Sequence, residues 1–245
     1  MKISACYIVR DEARELCRSL RSVRAAADEI VVVSTAGSVA VASAAVEFGA
    51  HLYDFPWQND FSVARNFALT KCTGDLIVFL DADEYFFHPE HIRAALEETM
   101  RECPAADIIM TRRCNFMTEN VKTDALYDYS PRILRMPGLH YEGMIHEQPV
   151  RDDGRERVIV YGDERLAVGH TGYLMERGAE KIRRNIAMLE QDAALHGRTA
   201  IHALYLADCY FGLKDYARVL LLSAEALHSD YVLIGEESRI YHQMI

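Results

Sequence analysis

Apolar runs recur at short intervals along the first third of the chain, and each is followed by a stretch with helical spacing. Ile3 to Val9 is an apolar run rich in strand-forming residues that stops at Arg10-Asp11-Glu12, which predicts a strand. Leu16, Leu20 and Val23 then recur at helical spacing within residues 12–24. Ile30 to Val33 predicts a second strand, ended by the polar run Ser34 to Ser38, and an alanine-rich helix follows to Phe48 with Gly49 as its stop. His51 to Asp54 reads as a third strand and Phe61 to Thr70 as a helix, and Gly74 breaks the chain before a fourth strand, Leu76 to Leu80. This alternation predicts right-handed βαβ units on a mostly parallel sheet, an α/β architecture. The strands are continuously apolar rather than alternating, as expected where both faces of a sheet are covered.

The rhythm changes after residue 105. Residues 107–111, 132–135 and 166–170 read as strands joined by longer irregular loops, and the chain reads as helix from about Glu176 onward. Two domains are therefore expected, 1–175 and a helical extension, 176–245. In the extension, residues 200–211 and 214–228 form a helix pair in which Leu206, Ala207, Tyr210, Asp215, Tyr216, Val219, Ala226 and Leu227 resemble one tetratricopeptide unit. One such unit buries little surface alone. Helix 176–196 and a further helix starting at Glu236 are the expected neighbours, and a plain hairpin packed on the first domain is the alternative. The apolar residues among Ile240 to Ile245 suggest pairing with a second copy, a homodimer through the C-terminal helices.

Composition narrows the function classes. Half of the residues are hydrophobic and 26% are charged, which is ordinary globular usage. The net charge of −10, from 27 Lys and Arg against 37 Asp and Glu, argues against nucleic acid or an anionic membrane as a partner. Met1 to Val9 carries one basic residue and too short an apolar run for a secretory signal, and no stretch approaches the roughly 20 apolar residues of a membrane span. Six scattered cysteines without a Cys-x-x-Cys pair read as reduced thiols and give a cytoplasmic expectation.

Candidate chemistry centres on Asp81-Ala82-Asp83-Glu84, just past the fourth strand. Ligands of open α/β sheets bind outside the carboxyl ends of strands. Carboxylates this close raise one another's pKa unless a cation intervenes, and Mg2+ takes one or two carboxylates and completes its shell with water and substrate phosphate. An acidic chain can thus hold a diphosphate through a metal. The alternative is that Asp81 and Asp83 cap the next helix or form a polar turn.

The ordered set of segments from Ile3 to Tyr85 resembles the nucleotide-sugar-binding half of an inverting family-2 glycosyltransferase with the GT-A (Rossmann-like) fold. The segments are Cys6 to Glu12, Ala27 to Val33, Phe48 to Tyr53, Asn59 to Asn66 (with Phe61-Ser62-Val63-Ala64-Arg65-Asn66) and Thr73-Gly74-Asp75 leading into the Asp-x-Asp motif Asp81 to Asp83. The resemblance implies that Asp81 contacts the ribose or the metal and that Asp83 ligates Mn2+ or Mg2+ on the donor diphosphate. It places Val9, Arg10 and Glu12 by the nucleoside and Arg65 by the base or phosphate. The residues alone also allow Glu12 as a first-turn helix carboxylate and Arg65 as a surface salt bridge. The family usually carries an Asp-Thr-Gly-Ser-Thr-Asp-like run after the second strand, whereas Ser34 to Val39 lacks both acids, leaving the Ser34 hydroxyl to bond a ribose or base edge.

Gly143 to Pro149 resembles the Ile-His-Glu segment of the same subgroup, and Val168 to Tyr173 its His-x-Gly-Tyr segment. Inverting transfer needs a base for the acceptor. Glu147 is the candidate, with His146 orienting it or touching the diphosphate; the alternative is an ion pair of Glu147 with Arg132 or Arg135. Asp124 and Asp128 are further candidate bases, and a late histidine, His170, is a candidate metal ligand or a structural histidine. The expected function is metal-assisted transfer of a sugar from a nucleotide-diphospho-sugar, a UDP-sugar above all, to a peptide, protein or envelope saccharide. The alternatives are a catalytically impaired GT-A domain acting as a binding or scaffold module, motivated by Ser34 and Val39, and a nucleotidyltransferase, which the lack of a glycine-rich, lysine-containing phosphate loop disfavours.

Overall fold

A computed structural model describes residues 1–116, 125–171 and 178–228. The chain divides into two compact units: Met1–Glu142 with Glu147–Met175, and Gly143–His146 with Glu176–Ile245. Among the described residues no helix is long and apolar enough to cross a membrane.

The first unit opens with β1 (Ile3–Val9), α1 (Ala13–Val23), β2 (Glu29–Ser34), α2 (Val39–Phe48), β3 (His51–Asp54), α3 (Phe61–Leu69) and β4 (Leu76–Phe79). β1 pairs in parallel with β2 and β4, and β2 with β3. The strands are buried on both sides. Tyr7, Val32 and Val78 pack with Leu16, Leu20 and Val41 on one face, and Cys6, Val31, Val33 and Phe79 pack with Ala68 and Tyr141 on the other. Local chemistry sets the helix ends. The Asp60 carboxylate accepts from the Val63 N–H at 3.0 Å to start α3, and Gly49 ends α2 at φ 65°.

The rest of this unit is β5 (Glu84–Phe86), α4 (Ile92–Glu102), β6 (Ile108–Phe116), β7 (Ala125–Arg135), β8 (Leu139–Glu142), β9 (Gln148–Arg151), β10 (Ile159–Tyr161) and β11 (Val168–His170). The main sheet runs β3-β2-β1-β4-β7-β6-β11-β5, with β10 also on β6, and β8 and β9 form a separate hairpin. The sheet is mostly parallel, but β7 is antiparallel to β4 and β6, and β5 to β11. β6 and β7 are longer than the apolar runs predict, because their C-terminal and N-terminal halves respectively carry charged residues that pair with each other across the ladder. β5 meets β11 closely at Gly169, where a Cβ would come within 2.8 Å of the Tyr85 ring.

The second unit contains α5 (Gly178–His196), α6 (Ala200–Gly212) and α7 (Tyr216–Leu227). Ala203, Leu204 and Ala226 form the seam of the α6–α7 pair. α7 starts two residues later than the sequence suggests, because Asp215 is its cap and accepts from the Arg218 N–H at 3.3 Å. The ring of His146, whose backbone has φ 56°, stacks on Tyr205 of α6 with centroids 3.6 Å apart. The expected helix start at Glu236 and the terminal apolar run 240–245 lie outside the described residues, as do Asp124, Gly172 and Tyr173.

Candidate active site

The carboxyl end of β4 delivers Asp81 into a pair of guanidinium groups. Its Oδ1 accepts from Arg65 Nη2 at 2.8 Å and its Oδ2 from Arg132 Nη2 at 2.5 Å. Burial opposes ionisation of Asp81, but Arg132 and Arg65 outweigh it and hold the carboxyl far below the usual carboxylate range. Arg65 leaves α3 on its buried face, lies 4.6 Å from the Phe79 ring centroid, and donates from Nε to Glu147 Oε1. Burial works against the charge on Arg65, and Asp81 and Glu147 restore it.

Glu84 carries the pattern further. It is fully buried, accepts from Arg132 Nη2 at 2.7 Å and lies 3.5 Å from Arg113 Nη1. Arg113 in turn holds Asp128 with both ends of its fork, Nε to Oδ1 at 2.9 Å and Nη2 to Oδ2 at 2.7 Å. The result is an alternating chain, Glu147–Arg65–Asp81–Arg132–Glu84–Arg113–Asp128, drawn from α3, the β4 end, β5, β6, β7 and the start of β9.

Asp83 lies beside this chain and faces a different partner. Its Oδ2 is 3.4 Å from His170 Nε2, and the two side chains are 19% and 12% exposed. The antiparallel register of β5 and β11 sets this juxtaposition by pairing Glu84 with His170, and the Thr171 N–H then donates to the Asp83 carbonyl at 3.2 Å. Arg18 braces the same joint by donating to Thr171 Oγ1 at 2.6 Å. His170 Nδ1 lies 2.7 Å from Asn115 Oδ1, so the other ring nitrogen is turned to Asp83. A carboxylate oxygen and an imidazole nitrogen at this separation fit a small divalent cation, with phosphate oxygens and water as its other ligands. Among the described residues no group of three or more His, Cys, Asp or Glu converges to cage a metal by itself. Each Asp81 oxygen already accepts one guanidinium N–H, which makes Asp81 a poorer metal ligand than Asp83.

The other sequence candidates are held as follows. Ser34 is buried, and its Oγ accepts from the Gly37 N–H at 3.0 Å, which ties it to the turn after β2. Glu12 folds back over its own turn and accepts from the Asp11 N–H at 3.1 Å and the Arg10 N–H at 3.2 Å. Val9 is buried and offers only backbone, its carbonyl accepting from the Thr35 N–H at 2.8 Å, while Arg10 is exposed at the end of β1. Arg65 is buried between Asp81 and Glu147, so it is not a surface ion pair. Glu147 does pair with an arginine, as the alternative reading has it, but the partner is Arg65 and not Arg132 or Arg135; Arg135 donates to the Pro104 carbonyl. The His146 ring stacks on Tyr205. Asp128, a candidate base, is clamped by Arg113 and also accepts from Asn115 Nδ2 at 3.2 Å.

Arg113 and Asn115 are not singled out by the sequence reading, Arg132 enters it only as a possible partner of Glu147, and Glu84 only as the third carboxylate of the run from Asp81. Their one signal is polarity at alternate positions inside strands, which a buried strand tolerates only where the groups are paired.

Residues 4–149 match the sequence model of Glycosyl transferase family 2. The chain is 27% identical over 205 residues to the SPbeta prophage-derived glycosyltransferase SunS of Bacillus subtilis, covering 77% of this chain and 44% of that protein. It is 47% identical over 83 residues to a TPR repeat-containing protein of Synechococcus elongatus, covering 34% of this chain and 21% of that protein. It thus spans less than half the length of these curated relatives. The crystal structure of S. aureus TarS 1-349 superposes with a TM-score of 0.53 at 13% identity, covering 100% of this chain and 79% of that one. The likeness is one of fold: a GT-A-like α/β arrangement with a mostly parallel sheet and flanking helices.

Proposed function

The chain belongs to Glycosyl transferase family 2, and from that membership we propose that it transfers a sugar, with inversion, from a nucleotide-diphospho-sugar to a peptide, protein or envelope saccharide. A UDP-sugar is the donor we favour. The observation that carries this reading is the 3.4 Å approach of Asp83 and His170 beyond the carboxyl end of β4, next to an Asp81 held ionised by two guanidinium groups.

In this reading Asp83 and His170 would hold Mn2+ or Mg2+, which would supply Lewis-acid stabilisation to the leaving diphosphate. Asp81 presents a carboxylate of fixed orientation to the donor, and Arg10, exposed at the end of β1, supplies a cation on the nucleotide side. Arg65 keeps Glu147 Oε1 engaged, and Oε2 takes the proton of the acceptor hydroxyl as that hydroxyl oxygen bonds to the anomeric carbon and the bond from the anomeric carbon to the diphosphate oxygen breaks, releasing the nucleoside diphosphate. We assign acceptor recognition to the tetratricopeptide-like helices. The six free cysteines support a reducing, cytoplasmic setting.

The test is calorimetric titration of UDP with and without Mn2+, repeated on Asp83→Ala. Metal-dependent UDP binding that is lost in the variant supports the reading; no UDP binding with any divalent metal rejects UDP donors. A second reading, a GT-A domain that binds but does not turn over, is favoured by one observation. Where the family carries acids, Ser34 is buried and Val39 is 81% exposed. Metal-dependent UDP binding without release of sugar from UDP-sugars selects that reading.

A further inference from the structure

We infer that Glu84 and Arg132 are positioning residues for the donor site, Arg132 by fixing the Asp81 carboxylate directly and Glu84 by stapling the turn that carries Asp81 and Asp83. The inference rests on the nucleotide-sugar reading of the site.

Glu84 is bonded to the turn twice. Its backbone N–H donates to the Asp81 carbonyl at 3.0 Å, and its Oε2 accepts from the Asp81 N–H at 3.2 Å. The three residues Asp81 to Asp83 are therefore closed into a loop by one side chain that has no exposure to solvent. Oε1 of the same carboxylate receives Arg132 Nη2, the nitrogen that also reaches Asp81 Oδ2. Pairing of Val78 with Ile133 brings Arg132 level with the carboxyl end of β4, where it meets both acids.

Fold stability alone is a poor explanation for this arrangement. Removing a carboxylate and a guanidinium from water is costly, and a packed apolar pair often serves a core as well or better. Arg132 Nε is buried without a hydrogen-bond partner, so the two acids sharing Nη2 set the orientation of the guanidinium at the expense of one of its donors. A pair that holds Asp81 at one rotamer and Asp83 at one height fits the demand for ligands fixed by a supporting shell.

The experiment measures the affinity of UDP with Mn2+ by calorimetry, with thermal unfolding recorded alongside, for the wild type, Arg132→Met, Arg132→Lys, Glu84→Gln, Asp81→Asn and the double variant Asp81→Asn/Arg132→Met. Arg132→Met is expected to weaken UDP binding about tenfold or more, Arg132→Lys to recover part of the loss, and Glu84→Gln to fall between them. In the Asp81→Asn background Arg132→Met should add nothing, since its effect runs through Asp81; a merely structural role would add its full loss there and overturn the inference. If Arg132→Met does not fold, the near-isosteric Glu84→Gln and the charge-preserving Arg132→Lys carry the test, and wild-type affinity in both overturns it. A wild type that binds no nucleoside diphosphate with metal removes the donor reading and this inference together. Wild-type binding with unaffected variants removes this inference only.

Discussion

Arg65 and Glu147 meet in a buried contact between the guanidinium Nε and a carboxylate oxygen, although 82 residues separate them in sequence. The same guanidinium holds Asp81 at 2.8 Å, so one cation joins the candidate base to the donor-side carboxylate. Removing it takes from Glu147, whose side chain is 12% exposed, its guanidinium partner and leaves Asp81 with Arg132 alone. Breaking a buried pair from one side costs about 3–5 kcal/mol, and Arg65→Met is expected to lose stability on that scale. Glu147→Gln should lose less, because Arg65 keeps Asp81. Urea unfolding of the two variants checks the order; equal losses would contradict it.

Asp83 and His170 supply the metal-dependent part of UDP affinity in the proposed reaction. Asp83→Ala and His170→Ala are each expected to reduce UDP affinity in Mn2+ to the level measured without metal. Asn115→Leu, which takes away the partner of His170 Nδ1, should weaken the metal-dependent part about 10–100-fold without touching either ligand. Titrations with and without Mn2+ separate the two contributions. A His170→Ala variant with wild-type metal dependence removes His170 from the site.

The parts of the fold that can be read from sequence are those whose physics is local. β1, β2 and β4 lie under helices on both faces, so Ile30 to Val33 and Leu76 to Leu80 appear as unbroken apolar runs. Gly49 and Asp60 mark helix ends by their own backbone and side-chain chemistry. β6 and β7 are read short because Arg113, Asn115 and Asp128 interrupt the apolar pattern with groups that bond one another across the sheet. Asp81 and Asp83 stand out as carboxylates just past a strand. Nothing local tells Asp81, gripped by arginines, from Asp83, which faces a histidine, because the partners come from β7, α3 and β11. The turn bond of Ser34 is equally invisible from sequence, because a hydroxyl after a strand suits a ribose and a turn N–H equally well, and only the fold brings the Gly37 N–H to it.

Gly74 leaves no room for a side chain. A Cβ there would sit 2.5 Å from Ser4 Oγ and 2.7 Å from the Ser4 backbone nitrogen. The hydroxyl could turn aside, but the nitrogen belongs to β1, paired on one side with β2 and on the other with β4. Gly74→Ala is therefore expected to destabilise the protein by about 1–3 kcal/mol, the usual cost of overpacking a core. Thermal unfolding measures it, and an unchanged midpoint would show that the β4 entry can shift without loss.

Glu29 gives a pH dependence whose sign can be worked out. It sits at the start of β2, where its carboxylate receives the Ser4 hydroxyl, the Thr73 N–H at 2.5 Å, the Thr73 hydroxyl at 2.8 Å and Lys2 Nζ at 3.3 Å. Burial disfavours the charge, but these donors prevail and lower its pKa from 4.5 to about 2. Because the folded value lies below the unfolded one, the ionised group's contribution is complete above pH 4.5 and is lost as the pH falls toward about 2. The shift corresponds to a contribution on the order of 3 kcal/mol. Glu29→Gln cannot ionise and should lack this component, so its stability deficit relative to wild type should be largest near neutral pH and shrink through the acid window. Urea unfolding of both proteins across that range reads the difference directly. A deficit that stays constant down to about pH 2 would mean that the donors around Glu29 serve the neutral acid as well as the carboxylate.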